Sequence, residues 1–304
     1  MGSTSALPVA VLGSTGYTGM ELLRLLLKHP YAALSYVGGR SHVGESLGTV
    51  HPQLGPEAGL RIDGIDPDKI AANARAVFCA LPHAASMDIV KALRERRVTV
   101  FDLSADFRLR DHTTYEQWYG PHTASALLKE AVYGLPELFR HALTQTDLIA
   151  VPGCYPTATI LALAPLLKAG LIDSSHVIVD AKSGVSGAGR TPTAATHYPD
   201  VAEGIRSYKV GGHHRHLPEI LQTLNTLSAT PVAVTFTPHL VPMTRGMLVT
   251  AYAKAITPGL TAQACRQAAR EFYVNAPFIR VLPEDQNPDT LWIRGTNHTL
   301  LNYT

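Results

Sequence analysis

The opening of the chain holds the segment that most restricts its fold. Pro8 to Leu12 is a short apolar run; Gly13, Ser14, Thr15, Gly16, Tyr17, Thr18 and Gly19 follow, with glycine at every third position, and Met20 to Lys28 is rich in leucine. A buried strand, a glycine-rich turn and a helix in that order begin a βαβ unit, and the N–H groups at the helix start favour an anion. The glycines let main chain approach closely, so a dinucleotide pyrophosphate is the expected ligand of Gly13–Gly19, an ordinary βα turn being the alternative. The alternation continues with strands predicted at Leu34–Gly38, Ala76–Leu81, Val98–Leu103 and Leu148–Val151 and a helix at His83–Arg94. Strands separated by helices imply a doubly wound parallel sheet whose ligands bind beyond the strands' carboxyl ends. Leu81, Pro82 and the segment Ser104–Arg108 follow such ends and should border the ligand. The stretch from Asp111 to Arg140, polar, aromatic and proline-containing, reads as a long excursion.

The second half has a different rhythm. Strands predicted at His176–Ala181, Val232–Phe236 and Gly246–Ala255 are joined by longer connections and by helices near Leu217–Leu227 and Thr261–Tyr273, which suits a mixed sheet with helices on one face. The expected division is 1–153 for a nucleotide-binding domain and 154–304 for a catalytic and oligomerisation domain.

Between the halves lies Ile149-Ala-Val-Pro-Gly-Cys-Tyr-Pro-Thr-Ala158. The apolar stretch reads as a strand, Gly153 as a sharp turn and Pro156 as the first turn of a helix, which puts Cys154 at a helix N-terminus. Main-chain N–H groups and the helix dipole there favour thiolate over thiol, so Cys154 is the expected nucleophile rather than a small buried apolar residue. Cys79 and Cys265, in an apolar run and a helical segment, read as structural, and three cysteines make no disulfide framework. A thiolate needs a proton partner, and Gly211-Gly-His-His-Arg-His-Leu-Pro-Glu-Ile220 supplies one: Pro218 sets a helix start just after His216. Three histidines in four residues also raise a metal reading, but no fourth ligand or cysteine pair accompanies them and no metal is expected.

Many NAD-binding folds place an acid about 20 residues after the glycines. Arg40 and Ser41 stand in that region, a pair suited to a 2′-phosphate, so NADP is expected over NAD; a solvated loop arginine is the alternative. Net charge is only +2 and the basic residues are dispersed, so nucleic acid is not an expected partner. No apolar run approaches the roughly 18 residues of a membrane span, no signal-peptide core opens the chain, and Ala6 stands where myristoylation of Gly2 would require a hydroxyl residue. A cytoplasmic location is expected.

The Cys154 segment, together with Phe101-Asp-Leu-Ser-Ala-Asp-Phe-Arg108, Tyr133-Gly-Leu-Pro-Glu137, Lys182-Ser-Gly-Val-Ser-Gly-Ala-Gly-Arg190, His214-Arg-His-Leu-Pro-Glu-Ile220, Pro238-His-Leu-Val-Pro-Met243 and Arg294-Gly-Thr-Asn-His298, resembles the pattern of N-acetyl-gamma-glutamyl-phosphate reductases, NADP-dependent enzymes of arginine biosynthesis. The resemblance implies a glyceraldehyde-3-phosphate dehydrogenase-like pair of domains, Cys154 as nucleophile through a thioester, and His216 as acid/base. It also implies Ser183 and Gly184 as cofactor contacts, and a homodimer or homotetramer acting on an acyl phosphate, its semialdehyde and inorganic phosphate. Arg108, Arg190, Arg206 and Arg245, with His214, are the candidates for gripping phosphate or carboxylate. Reductases of aspartyl or aminoadipyl phosphate would share nearly every feature, and a cysteine hydrolase would need no dinucleotide. Thr299–Thr304 departs from the pattern, whose members continue with a further strand and a glycine- and alanine-rich helix; a nucleotide-binding protein without full activity is the reading this departure adds.

Overall fold

The computed structural model describes residues 6–55 and 59–304, so the Met1-Gly2 pair weighed for lipidation lies outside the described residues. The chain forms two compact units, Met1–Leu135 with Phe139–Pro152, and Pro136–Leu138 with Gly153–Thr304.

The first unit runs β1 (Leu7–Leu12), α1 (Tyr17–Leu26), β2 (Ala32–Gly38), α2 (Leu47–Val50), α3 (Pro67–Asn73), β3 (Ala76–Cys79), α4 (Met87–Glu95), β4 (Thr99–Asp102), α5 (His112–Tyr119), β5 (Val132–Tyr133), α6 (Pro136–Leu143, whose first three residues belong to the second unit) and β6 (Leu148–Ala150). Its six strands lie in the order β2-β1-β3-β4-β6-β5, every neighbouring pair parallel. Both faces are covered: Val9 and Val11 of β1 pack with Leu23, Leu26 and Val37, while Ala10 and Leu12 pack with Val77, Val90 and Val100. This two-residue alternation between two apolar layers is what a sheet with helices on each side requires.

Two expectations change here. The helix predicted from His83 starts at Met87, because Ala84 adopts φ +64° and its N–H donates to the buried Asp106 carboxylate at 2.8 Å, which holds the preceding residues as a loop. The predicted excursion from Asp111 contains α5, capped by Asp111 through a 2.7 Å bond from the Thr114 N–H, and β5, the sheet's edge strand. A two-residue strand carries no readable periodicity, which is why it is missed.

The second unit runs α7 (Cys154–Lys168), β7 (Ile172–Gly184), α8 (Tyr198–Val201), β8 (Arg206–Ser207), α9 (Leu217–Leu224), β9 (Val234–Val241), β10 (Met247–Ala255), α10 (Ala262–Phe272), β11 (Ile279–Val281) and β12 (Thr299–Leu301). Four strands form a mixed sheet, β10-β7-β9-β8, with β7 and β9 parallel and the other pairs antiparallel; β11 and β12 form a parallel pair. Helix α7 packs on β7 and β10 and against α9 and α10. β9 runs past Phe236, where the predicted strand stopped, and through Pro238: proline forfeits one donor, but its carbonyl still accepts the Tyr208 N–H.

The β9–β10 connection passes over the end of β7 without pairing its own two strands. The N–H groups of Gly184, Val185 and Ser186 donate to the carbonyls of Gly246, Met243 and Thr244. A Cβ on Gly184 would lie 2.9 Å from the Arg245 main chain, so only glycine permits this approach.

Proline 165 interrupts α7, and its missing N–H leaves the Leu161 carbonyl without its helical donor. The Tyr273 hydroxyl fills that place, donating to Leu161 O at 2.8 Å, and the Tyr303 hydroxyl donates to Ala162 O at 3.0 Å. Burial raises the pKa of both phenols, which keeps them as donors. No helix among the described residues is long and apolar enough to cross a membrane.

Candidate active site

In the first unit the turn between β1 and α1 forms a cradle. Gly13 has φ +77°, and a Cβ there would lie 2.2 Å from the Ala80 carbonyl, so the turn presses against the end of β3, next to Leu81 and Pro82. The buried Ser14 hydroxyl has no hydrogen-bond partner among the described residues, while the Ser14 carbonyl meets Nε2 of the buried His51 at 2.8 Å. Thr15 and Ser41 hydroxyls stand 3.3 Å apart, which brings the Arg40-Ser41 segment to the glycine turn, with Arg40 exposed. A main-chain cradle closed by glycine, an orphaned hydroxyl and an exposed guanidinium fit a dinucleotide phosphate.

At the end of β4, Asp102 joins Ser104, Asp106 and Ser86 in a buried polar network, in which Asp106 accepts from the N–H groups of Ala84 and Ser86 and from the Ser86 and Tyr115 hydroxyls. Burial above all pushes the Asp102 carboxyl up to about 6, against the lowering effect of its Ser104 hydrogen bond. Arg108 is buried, its guanidinium donating to the Val151 and Leu103 carbonyls at 2.8 Å.

In the second unit Cys154 is the first residue of α7 and is exposed. Gly153 caps the helix with φ −69° and ψ 158°, ordinary extended backbone, so the expected sharp turn is absent there. Cys154 opens onto a cleft of about 340 Å³ lined by Thr157, Ala158, Met247, Val249 and Ile293. His216 stands immediately before α9, with Pro218 in the first turn. Tyr155 lies between the two helix starts: its ring meets those of His214 and His216 edge-on at 5.4 and 6.0 Å, and its hydroxyl donates to His239 O while accepting from Tyr208. Burial raises the Tyr155 and Tyr208 pKa values, and a thiolate at Cys154 raises them further.

His214 is enclosed by Tyr155, Tyr208, Phe236 and His216. Burial, with repulsion from the neighbouring His216, pulls its pKa down to about 3, so its ring is neutral at physiological pH. Its Nδ1 accepts the His216 main-chain N–H at 3.1 Å. Of the other predicted contacts, Ser183 and Gly184 are buried at the end of β7 and knit to the Arg245 segment, whereas Arg190, Arg206 and Arg245 are exposed; Arg206 donates to the Asp200 carbonyl. His213 is exposed. Two residues escape sequence reasoning. His51 looks like a loop histidine, and Glu219, 1% exposed, looks like an ordinary first-turn acid of α9, yet its Oε1 accepts the Gly153 N–H at 2.8 Å.

Comparison with known proteins gives the family. The family described as semialdehyde dehydrogenase, NAD binding domain, matches residues 8–146, and semialdehyde dehydrogenase, dimerisation domain, matches 154–304. An N-acetyl-gamma-glutamyl-phosphate reductase of Syntrophobacter fumaroxidans is 49% identical over 292 residues, spanning 96% of this chain and 84% of that protein. The chain belongs to the N-acetyl-gamma-glutamyl-phosphate reductase family. A second member, from Synechococcus elongatus, is 45% identical over 298 residues, spanning 98% and 84%. Thr299–Thr304, set apart above from the family pattern, falls within the matched dimerisation domain. Among solved structures, aspartate semialdehyde dehydrogenase II from Vibrio cholerae aligns with a TM-score of 0.72 over 97% of this chain and 87% of that one, at 16% identity. The aspartate semialdehyde dehydrogenase from Candida albicans, solved with NADP, aligns with 0.69 over 95% and 86%, also at 16%. These two share the fold of this chain.

Proposed function

We propose that this protein reduces N-acetylglutamyl 5-phosphate to N-acetylglutamate 5-semialdehyde, with release of phosphate, through a thioester on Cys154 and with NADP as its cofactor. The observation that carries the reading is an exposed cysteine as the first residue of α7, beside a second helix start that bears His216, in a chain of this family.

The Cys154 sulfur attacks the acyl carbon, the bond from that carbon to the phosphate oxygen breaks, and phosphate leaves with the electron pair. N–H groups at the start of α7 stabilise the oxyanion that develops. A nicotinamide, when bound, supplies hydride to the thioester carbonyl. His216 protonates the oxygen of the resulting thiohemiacetal and takes the proton back as the C–S bond breaks, which frees the semialdehyde and the thiolate. The neutral His214 holds the His216 main chain in place for both transfers.

NADP is favoured over NAD by the exposed Arg40 beside the Thr15–Ser41 contact, since a guanidinium suits a 2′-phosphate better than two hydroxyls. Association through the mixed sheet is favoured by exposed Ile178, Leu248 and Tyr252 on strands β7 and β10. Cytoplasmic residence is favoured by three cysteines without a disulfide.

The test is NADPH oxidation with N-acetylglutamyl 5-phosphate, or NADP reduction with the semialdehyde and phosphate, with aspartate semialdehyde as control. Turnover should be lost in Cys154→Ser. Persistent turnover in that variant, or a preference for aspartate semialdehyde, would overturn the reading.

A further inference from the structure

We infer that Glu219 is a positioning residue for the nucleophile, its buried carboxylate tying the turn that presents Cys154 to the helix that carries His216. The inference rests on the reading of Cys154 as nucleophile.

The segment before α7 is held as far as Val151, whose N–H donates to the Asp102 carbonyl and whose carbonyl accepts from Arg108. Pro152 has no N–H to give, and Gly153 caps α7 without any side-chain hydrogen bond of its own. The Gly153 N–H is therefore the first donor ahead of the reacting thiol, and it is buried. It donates to Glu219 Oε1 at 2.8 Å across 66 residues of sequence. The bond is short and buried, and a main-chain donor left without it would be costly, so it restrains the turn well.

Glu219, only 1% exposed, sits where two helix starts converge. It is the third residue of α9, where main-chain N–H groups and the helix dipole favour an anion, and its oxygen reaches the start of α7, where the same holds. His216 lies three residues before Glu219, at the mouth of the same helix, so one side chain sets the spacing between the residue that attacks and the residue that moves the proton. Its charge also works against the burial that keeps His214 neutral.

The test compares Glu219→Asp, Glu219→Gln and Glu219→Ala. Aspartate keeps the charge but withdraws the acceptor by one methylene, whereas glutamine loses the charge but keeps an oxygen at the right reach. A misplacement of about 1 Å costs on the order of a hundredfold, so kcat should fall by about that factor in Glu219→Asp and Glu219→Ala, while Glu219→Gln stays within about fivefold of wild type. NADP affinity should change by less than about threefold in all three, since the cofactor cradle is untouched. Alkylation of Cys154 by iodoacetamide, which needs an accessible thiolate and no aligned acyl phosphate, should proceed in Glu219→Asp at near the wild-type rate.

Wild-type turnover in Glu219→Asp would overturn the inference. So would a Glu219→Gln that fails while Glu219→Asp works, which would assign the effect to charge. Alkylation falling in step with kcat would place the effect on thiol ionisation and overturn it too. If Glu219→Ala does not fold, the aspartate and glutamine variants still decide. Should Cys154→Ser retain turnover, the nucleophile reading fails first; an inactive Cys154→Ser beside a fully active Glu219→Asp sinks this inference alone.

Discussion

His214 shows how burial converts a titratable residue into a fixed one. Its pKa near 3 in the folded state lies below the roughly 6.5 of an unfolded histidine, so as pH falls below that value the unfolded chain binds a proton that the folded chain refuses. Stability attributable to His214 is therefore full above pH about 6.5 and is lost progressively as pH falls towards 3. Asp102 works in the opposite sense: with its carboxyl near 6 when folded, against about 3.9 unfolded, it binds its proton first in the folded chain and gains stability as pH falls through that window. Asparagine can offer the His216 N–H an oxygen where His214 offers Nδ1, so the expected outcome for His214→Asn is a Tm deficit at pH 7 that narrows steadily towards pH 4. Calorimetric melts across that range check it, and a deficit independent of pH would refute the cause given. Arg40 makes a second prediction at this scale. Arg40→Asp should lower NADP affinity about ten- to hundredfold and shift preference towards NAD, because a charge-assisted contact contributes about 1.5 to 3 kcal/mol. Titration with both dinucleotides reads the ratio, and an unchanged ratio would place the 2′-phosphate elsewhere.

Helix α7 depends on a hydroxyl from outside itself. Tyr273→Phe should cost about 1 to 3 kcal/mol, because the buried Leu161 carbonyl then has neither a helical donor nor a phenol. Pro165→Ala restores the N–H, so Tyr273→Phe should cost less in that background; equal costs in the two backgrounds, measured by denaturant unfolding, would show that the hydroxyl has another role. Elements were legible in the sequence where their signals were local. The β1–α1 turn announced itself through glycine spacing, and the starts of α7 and α9 through proline one or two residues inside the helix. What was illegible depended on partners distant in sequence. The end of the loop before α4 is set by Asp106, twenty residues on, and the two-residue β5 exists only because β6 offers it an edge. Glu219 and His51 escaped for the same reason: their chemistry is ordinary, and only the fold gives them the Gly153 amide and the Ser14 carbonyl to hold.

The second unit covers one face of its mixed sheet with α7 and leaves exposed apolar side chains on its strands, Tyr252 at 57% among them. Exposed apolar residues gathered on one sheet mark an association surface, and Tyr252→Glu should shift the particle from a dimer or tetramer towards the monomer mass in sedimentation. A variant that keeps its assembly would move the interface to another surface. The order β10-β7-β9-β8 has one more consequence, for the path by which the molecule reaches this state. β9 and β10 are antiparallel and joined by only five residues, the usual recipe for a hairpin, yet β7 lies between them. A chain refolding from denaturant can close the local β9–β10 hairpin long before β7 arrives, and that hairpin must reopen to admit it. Refolding should therefore be slow and should speed up with a little denaturant before slowing again, a folding limb that bends over instead of running straight.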